Sequence, residues 1–189
     1  MKLQLISKRL AFPNLFEASS FEDGGKPKFN AKFVVLPNDT QVAALDAAMR
    51  AVAKEKWGAK AETIFDNLAK TGKKPEVCFV REPYKNRDGD VYQGFEDAFY
   101  FAASNDVRPT VLDRDKTPLI AADGRPYAGC YVNAVVEIWA QDNKYGRAIR
   151  ATLKGVQFVK DGDAFSGGGT ASPDDFEDLS AGADASALA

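Results

Sequence analysis

Residues 129–160 read GCYVNAVVEIWAQDNKYGRAIRATLKGVQFVK, two alternating runs joined by the turn DNKYGR. Successive side chains of an extended strand point to opposite faces, so each run is read at a period of two. In the first, Val132, Ala134, Val136 and Ile138 form an apolar row, which leaves Tyr131, Asn133, Val135, Glu137 and Trp139 on the other side. In the second, Ile149, Ala151 and Leu153 face one way and Arg150, Thr152 and Lys154 the other. The pattern predicts a long hairpin that packs a core with one face and shows aromatic rings beside cations on the other. Its turn continues the theme with Lys144, Tyr145 and Arg147.

Working outward, the same period recurs at the N-terminus. KLQLISKRLAFPNLF, residues 2–16, alternates loosely until Pro13 and Asn14 interrupt it, which predicts a long strand with a bend or bulge. FNAKFVVL, residues 29–36, places Phe29, Ala31, Phe33 and Val35 on one face of a second strand. The period then changes. In residues 37–58, Val42, Leu45, Met49 and Val52 recur at helical spacing, with Asp39 or Thr40 as N-cap and Gly58 as the stop. A shorter helix is predicted in AETIFDNLAKTG, residues 61–72, ending at Gly72, with Ile64, Phe65 and Leu68 as packing residues. Strands return in EVCFVRE (76–82) and DAFYFAASN (97–105). Strands at both ends with helices between them predict a β-rich α+β fold: a small antiparallel barrel carrying a helical insertion at about residues 40–70.

A chain of 189 residues suits one domain with a real core. Charge is unevenly distributed. Residues 161–189 hold seven acids (Asp161, Asp163, Asp174, Asp175, Glu177, Asp178 and Asp184) and no Lys or Arg, which leaves 25 bases against 20 acids, a charge of +5, in residues 1–160. The division expected is therefore a folded domain over 1–160 and a flexible acidic tail over 161–189, whose glycine, serine and alanine cannot offset the entropy of ordering it. A basic body suits a polyanionic partner. Cys78 and Cys130 are far apart, and the N-terminus has no long apolar run, so reduced cysteines and a cytoplasmic location are expected. No run approaches the roughly 20 apolar residues that span a bilayer, so no membrane partner is expected.

Histidine is absent, which removes the commonest general base and the commonest zinc ligand. Neither phosphate-cradling glycine motif occurs, so no cofactor is called for. One enzyme reading survives: Asp88, Asp90, Glu96 and Asp97 in NRDGDVYQGFED could gather a divalent cation for phosphodiester chemistry, making a metal-dependent nuclease. Against it, Asp88-Gly89 is a tight-turn signal with solvated acids around it, and the expectation adopted is no enzyme and no metal. A structural or assembly protein whose aromatic hairpin meets protein is the other alternative.

Rings interleaved with cations are how unpaired nucleic acid is held, ammonium and guanidinium groups following the phosphates while rings stack on bases. Besides Tyr131, Trp139, Lys144, Tyr145, Arg147, Arg150 and Lys154, candidates are Arg81, Tyr84, Lys85, Arg87 and Tyr92 in REPYKNRDGDVYQGF, Lys8, Arg9 and Phe12 in SKRLAF, and Arg108 in NDVRP. The stretch 129–168, followed by an acid-Phe-acid motif near the C-terminus, resembles the single-stranded DNA-binding proteins of tailed bacteriophages. The likeness covers most of the chain and is next strongest over residues 29–80. It implies an oligonucleotide-binding (OB) barrel of about five strands with a disordered acidic C-terminal tail. It also implies a role in replication and recombination, and the reading adopted is sequence-independent binding of single-stranded DNA; a homodimer is an open expectation that the sequence does not decide. The family's tail motif falls on Asp174, Asp175, Phe176, Glu177 and Asp178, a handle for replication or recombination proteins and a competitor for the DNA groove. Eleven mostly small residues follow it, where the family usually ends.

Overall fold

The structure is a computed structural model that describes residues 1–20, 25–70 and 76–165. Seven strands occur among these: β1 (Lys2–Ser19), β2 (Lys28–Val35), β3 (Phe79–Val80), β4 (Phe99–Asn105), β5 (Thr110–Leu112), β6 (Tyr131–Asn143) and β7 (Gly146–Lys160). Two helices, α1 (Val42–Trp57) and α2 (Ala61–Ala69), lie between β2 and β3. The sheet order is β3-β4-β2-β1-β6-β7-β5, and a further contact between β4 and β7 joins the ends. Strands β1, β2, β4, β7 and β6 therefore close into a five-stranded barrel with the order of an OB fold. Every pairing in it is antiparallel except the closing one, where Ser104 meets Thr152 in parallel.

Strand β1 makes this closure possible because it is shared. Its first half pairs with β6, Lys2 opposite Glu137 through Arg9 opposite Tyr131, and its second half pairs with β2, Arg9 opposite Val34 through Ser19 opposite Lys28. Within these pairings the register shifts three times, and two of the shifts carry residues with positive φ, Ser7 (φ 51°) and Phe12 (φ 49°). Positive φ is uncommon outside glycine and rare for a bulky ring, so each bulge marks a sharp change in strand direction. The bend expected at Pro13-Asn14 therefore falls one residue earlier.

The hairpin follows its alternation residue by residue. Val132, Ala134, Val136 and Ile138 are buried, as are Ile149, Ala151 and Leu153, while the intervening positions are half-buried or exposed. Phe33, Phe101 and Phe158 fill the barrel with Leu5, Leu10 and Leu15. Each such side chain contributes roughly 1.5–3 kcal/mol when fully buried. Helix α1 covers one opening with Leu45, Met49 and Val52. It begins at Val42, later than its expected cap, because Asp39 is used in the preceding turn: its carboxylate accepts the Gln41 N–H at 2.8 Å and pairs with Lys8 at 2.7 Å. Gly58 ends the helix as expected, with φ 53°. The strand expected over 76–82 shortens to the two residues of β3, and α2 ends at Ala69; Gly72, its expected stop, lies outside the described residues.

Candidate nucleic-acid interface

The outward face of β6 and β7 carries Tyr131, Asn133, Val135, Glu137 and Trp139, with Arg150 directly opposite Trp139 and Thr152 opposite Glu137. Trp139 is 41% exposed, and its indole N–H donates to the Thr152 hydroxyl at 3.1 Å, which anchors the ring on the sheet while leaving much of it open to solvent. Tyr145 at the hairpin tip is 80% exposed, with the Lys144 ammonium 5.0 Å from its ring centre. The cations of this face are matched to acids: Arg147 with Asp142 at 3.3 Å, Arg150 with Glu76 at 2.7 Å, and Lys154 with Glu137 at 3.0 Å. The Lys154 hydrogen bond and charge hold Glu137 below the usual carboxylate range. Asp142 is lowered too, first by the Trp57 indole N–H it accepts at 2.8 Å and then by Arg147. Pairs this exposed are worth about 0–1 kcal/mol, so a phosphate can replace the acid at small cost.

At the other end of β6 the arrangement changes. Arg9 lies across from Tyr131, donates to the carbonyls of Gly129 (3.1 Å) and Asp163 (2.6 Å), and stacks its guanidinium 4.2 Å from the Phe165 ring centre. Lys160 stands 4.5 Å from the Tyr131 ring. Residues 161–165 thus lie on the body, with the Tyr127 hydroxyl donating to Asp161 and Phe165 N–H donating to the Ala128 carbonyl. Two glycines with positive φ make room for them: a Cβ at Gly129 would fall 2.1 Å from the Asp163 oxygen, and one at Gly94 would fall 2.1 Å from the Phe165 ring.

Phe165 leads to a cluster of rings over β1, β2 and β4. Phe12, thrust outward by its bulge, meets Tyr92 edge-on at 4.9 Å and Tyr84 at 5.5 Å; Tyr84 and Tyr92 stack at 5.2 Å; Phe95 and Tyr100 complete the packing. Phe12 and Tyr92 are 36% and 37% exposed, so each offers an edge to solvent. Beneath them lies Lys32, only 8% exposed, its ammonium 4.3 Å from the Tyr84 ring and 5.3 Å from Phe12. Burial lowers the Lys32 pKa to about 8 and raises that of Tyr100 to about 12.

Several of the residues singled out in the sequence are linked by contacts into one belt. From Tyr84, Tyr92 and Phe12 it passes through Phe95, Phe165 and Arg9 to Tyr131, then along β6 to Trp139, about 26 Å further at 3.3 Å per residue. Lys85 and Arg87 stand exposed on the turn beside the ring cluster, and among the described residues no acid pairs with either. Arg108 lies off the belt, over Phe16 at 5.2 Å. Lys8 and Arg81 are withdrawn, the first buried against Asp39, the second paired with Asp46 at 2.6 Å. Lys32, Phe95, Lys160 and Phe165 were not legible as members. The motif at Asp174, Asp175, Phe176, Glu177 and Asp178 lies outside the described residues.

The four acids of the nuclease reading do not converge. Asp90 accepts from the Asn86 amide and Glu96 from the Gly94 N–H, both within turns, and among the described residues no group of three or more His, Cys, Asp or Glu comes together. No helix among them is long and apolar enough to cross a membrane.

Fold and belt define a class, an OB barrel with an aromatic and cationic outer surface. Comparison with known proteins makes it particular. The family model described as "Enterobacter phage Enc34, ssDNA-binding protein" matches residues 1–186, and the chain belongs to that family. Protein p50 of Acyrthosiphon pisum secondary endosymbiont phage 1 is 44% identical over 184 residues, 95% of each chain. Among solved structures, the single-stranded DNA-binding protein of bacteriophage Enc34 in complex with ssDNA superposes with a TM-score of 0.69 at 24% identity, over 87% of this chain and 89% of that one. The single-stranded DNA-binding protein gp2.5 of bacteriophage T7 gives a TM-score of 0.55 at 12% identity, over 93% and 92%. At those identities the two structures speak for the fold.

Proposed function

We propose that this protein binds single-stranded DNA without regard to sequence, in phage replication and recombination within the host cytoplasm. The strand follows the belt, its phosphates meeting Arg9, Lys85, Arg87, Lys144, Arg147, Arg150 and Lys154 and its bases stacking on Phe12, Tyr84, Tyr92, Tyr131, Trp139 and Tyr145; Arg108 serves as an outlying contact. Membership of the family supports the ligand. The observation that carries the mode is the solitary outward ring of Trp139, pinned by Thr152 and flanked by Arg150. A ring held this way stacks on any base, at about 1–3 kcal/mol per base. The protein acts by binding rather than by chemistry, needing no cofactor or metal.

The acidic tail is the second part of the proposal. With Asp174, Asp175, Phe176, Glu177 and Asp178 it competes with DNA for the belt and recruits replication or recombination proteins, and a homodimer would bring a second copy of both surfaces. The tether leaves the body next to Arg9 and the ring cluster, which puts the tail's acids at high local concentration there. Titrating oligo-dT into the full chain and into a chain ending at Phe165, at several salt concentrations, tests both parts. Expected are a log-log salt slope of about −0.7 per phosphate contacted and tighter binding by the shorter chain. A flat salt response contradicts the binding mode; equal affinity of the two chains contradicts competition by the tail.

A further inference from the structure

Midway along the outward face of β6 lies a groove of about 250 Å³ that belongs to neither ring cluster, with Thr110, Leu112, Asn133, Val135, Gly155 and Gln157 in its lining. Its origin is a missing side chain. Gly155 stands opposite Val135 on one side and Thr110 on the other, so the surface dips where the neighbouring rows carry side chains. Space is tight at its wall, since a Cβ on Gly155 would sit 3.2 Å from the Thr110 carbonyl oxygen. The volume is below the roughly 300–1,000 Å³ of drug-sized sites and suits one planar heterocycle.

Two amides face each other across this groove. Asn133 and Gln157 are direct cross-strand partners, and such pairs place their Cβ atoms about 4.5–5.5 Å apart. The orientation of each is fixed by backbone chemistry. The Ser7 N–H, presented by the β1 bulge, can only donate, and it donates to Asn133 Oδ1 at 2.9 Å, so Asn133 turns its Nδ2 hydrogens outward. The carbonyls of Asp113 and Arg114 can only accept, and they take Gln157 Nε2 at 3.3 and 3.2 Å, so Gln157 turns its Oε1 outward. The groove therefore presents one donor beside one acceptor, both preoriented, with Val135 and Leu112 as apolar flanks.

Resting on the function proposed above, we infer that this groove takes the Watson–Crick edge of one unpaired nucleobase. Each of the four bases carries a donor next to an acceptor on that edge, so a base of any identity satisfies Asn133 and Gln157 together, and recognition stays indifferent to sequence. In a duplex the same edge is occupied by the partner strand. The pair thus selects for unpaired strands, a discrimination that ring stacking and phosphate contacts do not supply.

The test compares two short oligomers with the full chain: oligo-dT, and the same length of N3-methylthymidine, which keeps the stacking face and the phosphates but loses the N3–H donor. A lost hydrogen bond with crowding at its partner corresponds to about tenfold weaker binding of the methylated oligomer. In the variants Asn133→Asp, which keeps the acceptor for Ser7, and Gln157→Met, the ratio between oligomers is expected to fall towards one. Equal affinity of the unmodified chain for both oligomers overturns the inference while leaving DNA binding intact. So does an unchanged tenfold ratio in both variants, which places the discriminating group elsewhere. Failure to bind either oligomer overturns the inference together with the function it rests on.

Discussion

The two ends of the belt use the same residue types for different purposes. At the β2 and β4 end, Phe12, Tyr84, Tyr92, Phe95 and Tyr100 pack on one another over a buried lysine, while the cations that remain accessible, Lys85 and Arg87, sit on the turn above. At the hairpin end, Trp139 and Tyr145 stand without ring neighbours among the described residues, and the arginines beside them, Arg147 and Arg150, are matched to acids while Lys144 lies against the Tyr145 ring. Rings that satisfy each other support the fold; a ring left alone on a strand has a face for a ligand. Substitutions at the first end should therefore appear mainly as lost stability, and at the second mainly as lost affinity.

The largest effect expected is Phe95→Ala. This ring is fully buried among four others, and removing it should cost about 3–5 kcal/mol in denaturant unfolding. A cost below about 1 kcal/mol would break the contrast at its strongest point. Next comes Lys32. Its folded pKa, about 8, lies below the ordinary 10.5, so the unfolded chain binds more protons between those values and stability rises with pH across that window. The full shift corresponds to about 3 kcal/mol, an upper bound because the rings of Tyr84 and Phe12 favour the charged form. The buried thiols of Cys78 and Cys130, raised to about 12 and about 11, work the other way above about pH 9, and Tyr100, raised to about 12, does so above about pH 10, the unfolded groups ionising first. Urea unfolding of the parent and of Lys32→Met between pH 7 and 10 should show stability changing more positively with pH in the parent, the thiol and tyrosine contributions being common to both; equal slopes would show that Lys32 contributes nothing.

At the hairpin, Trp139→Ala should weaken oligo-dT binding by about 1–3 kcal/mol while moving stability by less than about 1 kcal/mol. The smallest effect sharpens the role of the ion pairs. Glu76→Gln removes the acid that pairs with Arg150 at 2.7 Å and should tighten DNA binding slightly, whereas Arg150→Gln should reduce the salt slope by about 0.7. Equal slopes in the parent and Arg150→Gln would remove Arg150 from the phosphate contacts.

What was legible in the sequence follows from range. The hairpin was readable because alternation is local and one face is buried, so Val132 through Ile138 could be assigned to sides without knowing what they touch. The helices were readable for the same reason at their own period. Other features depend on partners far along the chain. In FNAKFVVL, Lys32 sits on the face opposite Phe33 and reads as solvated; it is buried because residues 84–95 fold over it. Arg150 reads as an available cation until Glu76, 74 positions away, reaches it. Phe165 reads as the start of the tail by composition, yet Gly94 and Gly129 provide the room it occupies. The bulge at Ser7 left no compositional sign, since serine does not favour positive φ, whereas the one at Phe12 was marked by the Pro13-Asn14 that follows it.

Ultraviolet crosslinking of oligo-dT to the full chain, with the attached peptides identified by mass spectrometry, tests most directly whether the strand lies along β6. Adducts on the peptides carrying Tyr131 and Trp139 are the result expected. Adducts confined to residues away from the hairpin, with both of those peptides unmodified, would contradict it.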